Sequence, residues 1–373
     1  MKTEGVTGIR WFYVYTRLFC IFNIDICNPG GTTKRCSTFL YRTFITFVWS
    51  VTIYGHITKM YTYIYDSKSK QLLATSIGLL STFFIWCHMN KFQLKICNAI
   101  KILKKKAHAI NINPPTQFTK NCFFLFGNLQ VLRVLVEVFE MTDTKYETFL
   151  KEISFGSLYA AEIDRHIVSV IAHSYLTIRD FALYFFPHYF SIFLVILFRY
   201  MESTLQKYVE IGKKLKAKSW LTPNVCNTYF QRYEAILYSL NALNRSLSIP
   251  VFLVCVYHAT GVFFGVMMYE GILHSIKKLF YTAISFLLFT FITFSASAIN
   301  EVDKTAKYTN IKILSLLSPE ERNRMTTSFE LLSQNFHAPA FAISGWGFFY
   351  LTKSFYLTAI GCLITYGLLL VNM

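Results

Sequence analysis

Charged residues are scarce in this sequence. Asp, Glu, Lys and Arg make up 15% of its 373 residues, whereas apolar residues make up 54% and aromatic residues 18%. The mean hydropathy is +0.38. A soluble globular protein of this length needs more charge to cover its surface. The scarcity of charge therefore excludes that class and indicates a membrane protein.

Motifs for catalysis and for metal binding are also missing. The sequence has no glycine-rich phosphate loop, no nucleophile elbow and no paired-carboxylate motif. No cysteine pair has zinc-site spacing, and none of the nine cysteines falls in a predicted extracellular loop, where disulfides would form. We therefore predict that the protein is not an enzyme and holds no cofactor and no metal.

The basic balance of the chain does not indicate a nucleic-acid partner. The formal net charge is +17, but a nucleic-acid-binding protein needs a soluble basic domain, and the sequence has none. Its Lys and Arg residues cluster instead in segments that alternate with apolar blocks, where they fix membrane topology and meet anionic lipid. We expect membrane lipid, and no nucleic acid, among its partners.

The apolar residues come in blocks long enough to span a membrane. A bilayer core of about 30 Å needs about 20 helical residues. Seven segments qualify, at approximately 38–65, 72–89, 123–141, 182–201, 247–269, 279–300 and 341–371. We therefore predict an all-α membrane protein with seven transmembrane helices, forming a single domain over residues 1–373.

The distribution of Lys and Arg predicts how these spans are oriented. The segments 1–37, 90–122, 202–246 and 301–340 hold 24 of these residues, and the alternate loops hold 8. The positive-inside rule then places the N-terminus in the cytoplasm, and an odd number of spans places the C-terminus at the extracellular face. This orientation is opposite to that of a G-protein-coupled receptor.

Two of the predicted cytoplasmic segments have helical character. Segments 202–246 and 301–340 keep apolar residues at helical spacing, which predicts a cytoplasmic helical layer continuous with the last four spans. Within the second segment, Ser318-Pro319-Glu320-Glu321 predicts a helix start, with a capping serine, proline at the first position and acids in the first turn.

Small and polar residues recur at steps of three or four along the last predicted span. The stripe consists of Ser354, Thr358, Gly361, Thr365, Leu368 and Asn372. Such a stripe is typical either of an aqueous path around a central axis or of close packing between helices. Lys353 lies about 20 residues, hence about 30 Å, before the outer end. We interpret it as an anchor at the inner headgroup boundary.

The chain ends with Thr365-Tyr366, the five apolar residues 367–371, Asn372 and Met373. This ending resembles the signature of the insect-type gustatory receptor family, which has Thr-Tyr, five hydrophobic residues, Gln and usually Phe. Asn372 keeps the amide with a shorter reach, and Met373 keeps an apolar group where the family has an aromatic ring.

The resemblance implies a cation channel in the plasma membrane that is gated by a small-molecule tastant. Four identical or related subunits would assemble so that the final helix of each surrounds one pore for permeant cations. The pore and gate residues that the resemblance implies are Thr358, Gly361, Thr365, Tyr366, Leu369, Asn372 and Met373.

Aromatic residues with a few polar groups crowd the outer halves of spans three to six, a composition that suits a small-molecule pocket. The resemblance implies that tastants bind in this region. The candidate ligand-binding residues are Glu137, Glu140, Tyr184, His188, Tyr189, Tyr257, His258, Phe264, Tyr269 and Tyr281. Interfacial aromatic belts account for many such residues in any membrane protein, and Glu137 has the alternative role of an ion pair with Arg133.

Two other functions remain alternatives for a chain with seven apolar spans. A signalling receptor like a G-protein-coupled receptor would have its N-terminus outside the cell. A membrane transporter would more commonly show paired half-spans or intramembrane carboxylates. The orientation of the N-terminus and the recording of a conductance separate both from a channel.

Overall fold

Helices make up almost all of the structure. The computed structural model describes residues 43, 46–58, 60, 69–109, 165–216, 222–267, 275–323 and 336–371. Its helices, numbered here in chain order from residue 69, are α1 (Ser69–Ala109), α2 (Arg165–Asp180), α3 (Phe186–Lys216), α4 (Pro223–Met267), α5 (Ser275–Ser315), α6 (Pro319–Asn323) and α7 (Lys353–Val371). A π-helical turn, Phe181–Phe185, joins α2 to α3. The predicted helical class is confirmed, and the predicted span 123–141 lies outside the described residues.

Three helices in the described part of the chain are long and apolar enough to cross a membrane. They are His173–Lys216, Pro223–Phe263 and Leu279–Ser315, with 44, 41 and 37 residues, and a shorter apolar helix covers Lys353–Thr365. The hydrocarbon core of a bilayer offers no hydrogen-bond partners to the backbone. A helix can cross it because its N–H and C=O groups pair with each other. A bilayer core takes up about 20 residues of each long helix. The remaining turns therefore extend beyond the apolar layer.

Helix α3 belongs to the most buried of the three long apolar helices in the described part of the chain. It packs along α5, while α4 packs along both α1 and α5. Every residue of α3 from 186 to 198 is buried. A helix that is apolar on all sides is buried among other helices. The larger of the two apolar clusters among the described residues therefore runs through α1, α3, α4 and α5.

The three long helices stay together beyond their most apolar halves. Tyr208 of α3 and Tyr229 of α4 stack with their ring centroids 4.2 Å apart, and the Tyr208 hydroxyl donates to Asn310 Oδ1 of α5 at 2.8 Å. All three side chains are buried. Segments 202–216, 223–246 and 301–315 are therefore packed helices in which aromatic rings and matched polar groups form the contacts.

The helix start predicted at Ser318 is confirmed. Helix α6 begins at Pro319, and the N–H of Glu321 donates to Ser318 Oγ at 3.2 Å. The Glu321 carboxylate accepts the Ser318 N–H in return at 2.8 Å. This reciprocal pair is a capping box, which satisfies two backbone donors that the first turn leaves without partners.

The last apolar segment becomes helical only at Lys353, later than the predicted segment 341–371. Residues 344–350 form an antiparallel hairpin, in which β1 (Ser344–Gly345) pairs with β2 (Phe349–Tyr350). Gly347 adopts a φ of 79° at its turn, which is incompatible with a right-handed helix. The turn at Gly347 is therefore not helical, and α7 begins only after the hairpin.

Four polar side chains of α4 and α5 hold the backbone of residues 338–344. We call this set the backbone clamp, and it consists of Asn244, Asn300, Asp303 and Lys307. At its centre, the Asp303 carboxylate is fully buried and accepts two hydrogen bonds of 2.8 Å, from the Tyr233 hydroxyl and from the Phe341 N–H. The carboxylate thus ties α4, α5 and the segment before α7 to one point.

Lys307 supplies the positive charge that this buried carboxylate needs. Its ammonium lies 3.6 Å from Asp303 and is itself largely buried. It also donates to the carbonyls of Ala338 at 3.0 Å and Pro339 at 2.8 Å. A buried ammonium is costly unless it is paired and hydrogen-bonded. The two carbonyls and the carboxylate together meet that requirement.

The two asparagines extend the backbone clamp at either side of this ion pair. Asn300 donates to the carbonyl of Phe341 at 2.9 Å, and Asn244 accepts the N–H of Ser344 at 2.9 Å. Backbone groups buried without a partner are destabilising. The amides therefore replace the helical hydrogen bonds that residues 338–344 do not make.

We expect Asp303→Asn to lower the free energy of unfolding by about 3–5 kcal/mol, the effect of removing one partner from a buried ion pair. The exchange removes the charge opposite Lys307 and one of the two acceptor oxygens. Thermal unfolding of the detergent-solubilised protein measures the change. The control is Glu301→Gln, which alters the exposed pair with Lys304 (3.0 Å) on the same helix. Equal melting temperatures for the two variants would contradict the role of Asp303.

Candidate functional site

Four of the predicted ligand-binding residues come together where α3, α4 and α5 meet. The Tyr281 ring of α5 lies 5.2 Å from Tyr184, 6.0 Å from His188 and 6.5 Å from Tyr257, measured between centroids. These rings come from the π-helical turn, α3, α4 and α5. We call the four residues the aromatic cluster. Residues that lie up to 97 positions apart in the chain thus share one site.

Pro187 explains the local backbone of this region. A proline has no N–H, so the carbonyl four residues earlier, that of Leu183, lacks its helical donor. The residues just before the proline form the π-helical turn, in which the N–H of Phe186 donates to the carbonyl of Phe181, five residues earlier. The Tyr257 hydroxyl donates to the Leu183 carbonyl at 2.7 Å. A tyrosine of α4 thereby satisfies the group that the proline leaves open.

His258, a fifth predicted ligand-binding residue, lies beside the aromatic cluster and is fully buried. Its ring is parallel to that of His188, with centroids 5.8 Å apart and an interplanar angle of 7°. His258 Nε2 lies 2.7 Å from Ser191 Oγ, and the Ser191 hydroxyl lies 2.7 Å from the carbonyl of Pro187. Because a carbonyl only accepts, Ser191 donates to Pro187 and His258 Nε2–H donates to Ser191.

His258 Nδ1, which the tautomer leaves as an acceptor, and Ser285 Oγ on α5 are buried at this site and have no hydrogen-bond partner among the described residues. A Cβ added at Gly261 of α4 would lie 2.9 Å from Ser285 Oγ and 3.1 Å from the Tyr281 ring. The glycine therefore allows α4 and α5 to approach closely here. An acceptor and a hydroxyl without partners suit a ligand with polar groups.

The other predicted ligand-binding residues divide into two groups. Tyr189 is buried and stacks on Phe185, with centroids 6.1 Å apart. Phe264 belongs to α4, but its side chain lies outside the described residues, as do Glu137, Glu140 and Tyr269 entirely. Ser191, Gly261 and Ser285 were not predicted, because a serine or glycine in an apolar segment gives no sign of the helix that it faces.

The terminal helix α7 presents three of the predicted pore residues on one exposed face. Thr358, Gly361 and Thr365 are all exposed, and a Cβ at Gly361 would meet no atom within 4 Å. Tyr366 and Leu369 belong to α7, but the structure describes only their backbone. Asn372 and Met373 lie outside the described residues.

A different face of α7 contacts α5. The Tyr356 hydroxyl lies 3.2 Å from Thr290 Oγ1, whose own hydroxyl donates to the carbonyl of Phe286 at 2.8 Å. The Tyr356 ring also lies 5.0 Å from Phe294. Tyr356 therefore donates to Thr290 and links α7 to the helix that carries Tyr281.

Within the described part of the chain, no group of three His, Cys, Asp or Glu residues is arranged to bind a metal.

Comparison with solved structures shows a shared fold. The insect olfactory receptor OR5 from Machilis hrabei superposes with a TM-score of 0.69 at 14% identity, covering 98% of this chain and 99% of that one. The same receptor in complex with eugenol gives a TM-score of 0.56 at 13% identity, covering 99% of each chain. Similarity at this identity shows the fold alone.

The family comparison is more specific. No curated protein matches the chain. The family model described as the trehalose receptor matches residues 139–373, which is more than half of the chain and includes the helices that form the site. The chain therefore belongs to the insect-type gustatory receptor family of membrane chemoreceptors.

Proposed function

We propose that this protein is a ligand-gated cation channel of the plasma membrane that detects a small-molecule tastant. Four subunits, identical or related, surround one pore with their α7 helices. In this proposal the chain crosses the membrane seven times, with its N-terminus in the cytoplasm and its C-terminus outside, as the distribution of Lys and Arg predicts. The observation that carries the proposal is the exposed polar face of α7, which a helix surrounded only by lipid would not need.

Helix α7 has one covered side and one open side. Phe355, Tyr356, Ala359 and Ile360 pack against the core of the bundle. Thr358, Gly361 and Thr365 lie on the exposed side. Hydroxyl groups and a glycine around a symmetry axis leave room for water and hydrated ions. Four copies arranged about such an axis would turn this exposed face toward the conduction path.

The aromatic cluster and its neighbours suit recognition of a small amphipathic molecule. Tyr and His rings supply apolar walls, while His258 Nδ1 and Ser285 Oγ supply an acceptor and a hydroxyl. The trehalose receptor family and the OR5 complex with eugenol each name a small molecule. We infer that the tastant binds among α3, α4 and α5, with Tyr281 and Ser285 on the α5 side.

Helix α5 provides the route from the ligand site to the pore. Ser285 and Thr290 lie on the same helix, about 8 Å apart along its axis at about 1.5 Å per residue. A ligand that shifts α5 would therefore move the Thr290 contact with Tyr356 of α7. To convert a mostly closed channel into a mostly open one, the ligand must favour the open state by about 5 kcal/mol, shared among subunits.

Cysteine accessibility tests the pore assignment. In a Cys362→Ala background, we expect Thr358→Cys to be modified by a charged, water-soluble thiol reagent during agonist application, with progressive loss of whole-cell current. Ile364→Cys is the control, because Ile364 is 57% exposed but lies on another face of α7. Loss of current in the control variant alone, or no agonist-evoked current from the unsubstituted channel, would contradict the proposal.

Ser285→Ala tests the ligand site. We expect the agonist concentration for half-maximal current to rise by up to about tenfold, since a hydrogen bond contributes roughly 0.5–1.5 kcal/mol. The melting temperature should stay constant or rise, because the exchange removes a buried hydroxyl without a partner in the described structure.

The matched control for this exchange is Ser297→Ala on the same helix. Ser297 is buried and donates to the carbonyl of Phe294 at 3.0 Å, away from the site. This control should leave agonist potency unchanged. Unaltered potency in Ser285→Ala, in a channel that still conducts, would remove Ser285 from the ligand site without affecting the pore assignment.

A further inference from the structure

The hairpin before α7 places a tryptophan in an unfavourable backbone conformation. The N–H of Phe348 donates to the carbonyl of Gly345 at 3.0 Å, closing a turn whose central residues are Trp346 and Gly347. Their φ angles are 50° and 79°. Glycine adopts such angles freely, but a bulky residue there is strained. A tryptophan at this position therefore calls for a compensating interaction.

Three aromatic side chains project from this hairpin with much of their surface exposed. Trp346 is 53% exposed, Phe348 72% and Tyr350 58%. We call these residues the aromatic tip. Within the chain, Phe252 of α4 covers part of it, with ring centroids 5.7 Å from Trp346 and 5.3 Å from Phe348. The contact with Phe252 leaves the greater part of all three rings without protein around them.

The position of the aromatic tip along α4 coincides with a change in side-chain chemistry. The N–H of Trp346 donates to the carbonyl of Ser248 at 3.0 Å, so the hairpin lies beside this turn of α4. The residues before it include exposed Arg245, and those from 250 to 256 are apolar or cysteine. Lys353, also exposed, begins α7 directly after the hairpin.

Helix α1 places further cations at the same level. The His88 imidazole donates to the carbonyl of Ser246 at 3.0 Å, which aligns this part of α1 with the start of the apolar half of α4. Lys91 and Lys95 follow within two turns and are exposed. Helices α1, α4 and α7 thus all carry basic residues near the aromatic tip. In each helix these residues lie just beyond the end of the apolar half. This arrangement marks the edge of a bilayer.

We propose that the aromatic tip is a membrane anchor that inserts into the interfacial layer of the cytoplasmic leaflet, with Arg245 and Lys353 meeting lipid phosphates. The proposal rests on the proposed orientation of α7, and not on channel activity. Indole and phenol rings are most favourable at the headgroup level, where one side is apolar and the other is wet. Lipid contact at the tip compensates for the strained conformation of Trp346.

The charges favour lipid over the same patch of a second copy as the partner. Arg245 and Lys353 flank the aromatic tip, and neither 244–256 nor 340–353 contains an acidic residue, so two such patches would bury like charges against each other. Anionic headgroups provide the complementary charge at no such cost. The anchor would fix the depth of the first turn of α7, which follows the hairpin by three residues.

Fluorescence quenching in lipid nanodiscs tests the anchor. The contribution of Trp346 is the difference between the intact protein and Trp346→Phe, with Trp346→Tyr as a second variant. We expect this difference to lose most of its intensity in lipids brominated near the glycerol end of the acyl chain. Bromine near the methyl end should quench it less, and aqueous iodide should have little effect.

Trp49→Phe is the matched control, since Trp49 is 4% exposed and packs within the protein. Its difference signal should resist all of the quenchers. A Trp346 signal that no quencher reaches would show that protein covers the aromatic tip, and a signal quenched only by iodide would show that the tip faces water. Either outcome would overturn the anchor, whereas failure of agonist-evoked current would overturn only the proposed channel function.

Discussion

Backbone hydrogen bonding in an apolar environment is the constraint on which this structure depends. Hydrocarbon offers no donors or acceptors, so each peptide group must find its partner within the protein. The long helices α3, α4 and α5 meet this requirement along most of their length. Where the helical pattern is interrupted, side chains take over. The Tyr257 hydroxyl serves the Leu183 carbonyl, and the backbone clamp serves residues 338–344.

These substitutions connect parts of the molecule that are distant in sequence. Tyr257 joins α4 to the π-helical turn, which positions the aromatic cluster. Asp303 joins α4, α5 and the segment that precedes α7. Ser285 and Asp303 lie about 27 Å apart along α5 at about 1.5 Å per residue. One rigid helix thus carries the candidate ligand site, the contact with Tyr356 and the anchoring point of the terminal helix.

Sequence patterns predicted the helical membrane class because the signal is spread over many residues. Hydropathy over about 20 residues identifies a span even when single positions are ambiguous. The capping box at Ser318 was predictable because all of its partners lie within four residues. The ending with Thr365-Tyr366 and five apolar residues resembled the gustatory receptor signature, and the family model over residues 139–373 shows the membership. The start of α7 was less predictable, since the hydropathy of residues 341–352 does not distinguish a hairpin on α4 from a helix.

The sequence by itself determined the class of protein, the apolar segments and the aromatic residues from which a site can be made, because composition and periodicity are local properties. Tertiary structure alone decided that Tyr281 meets His188, that Ser191 accepts from His258, and that Asp303 holds the segment before α7. Ser191 and His258 lie 67 positions apart in the chain, and Asp303 and Phe341 lie 38 positions apart. Helix packing sets which faces meet, and no local pattern encodes that geometry.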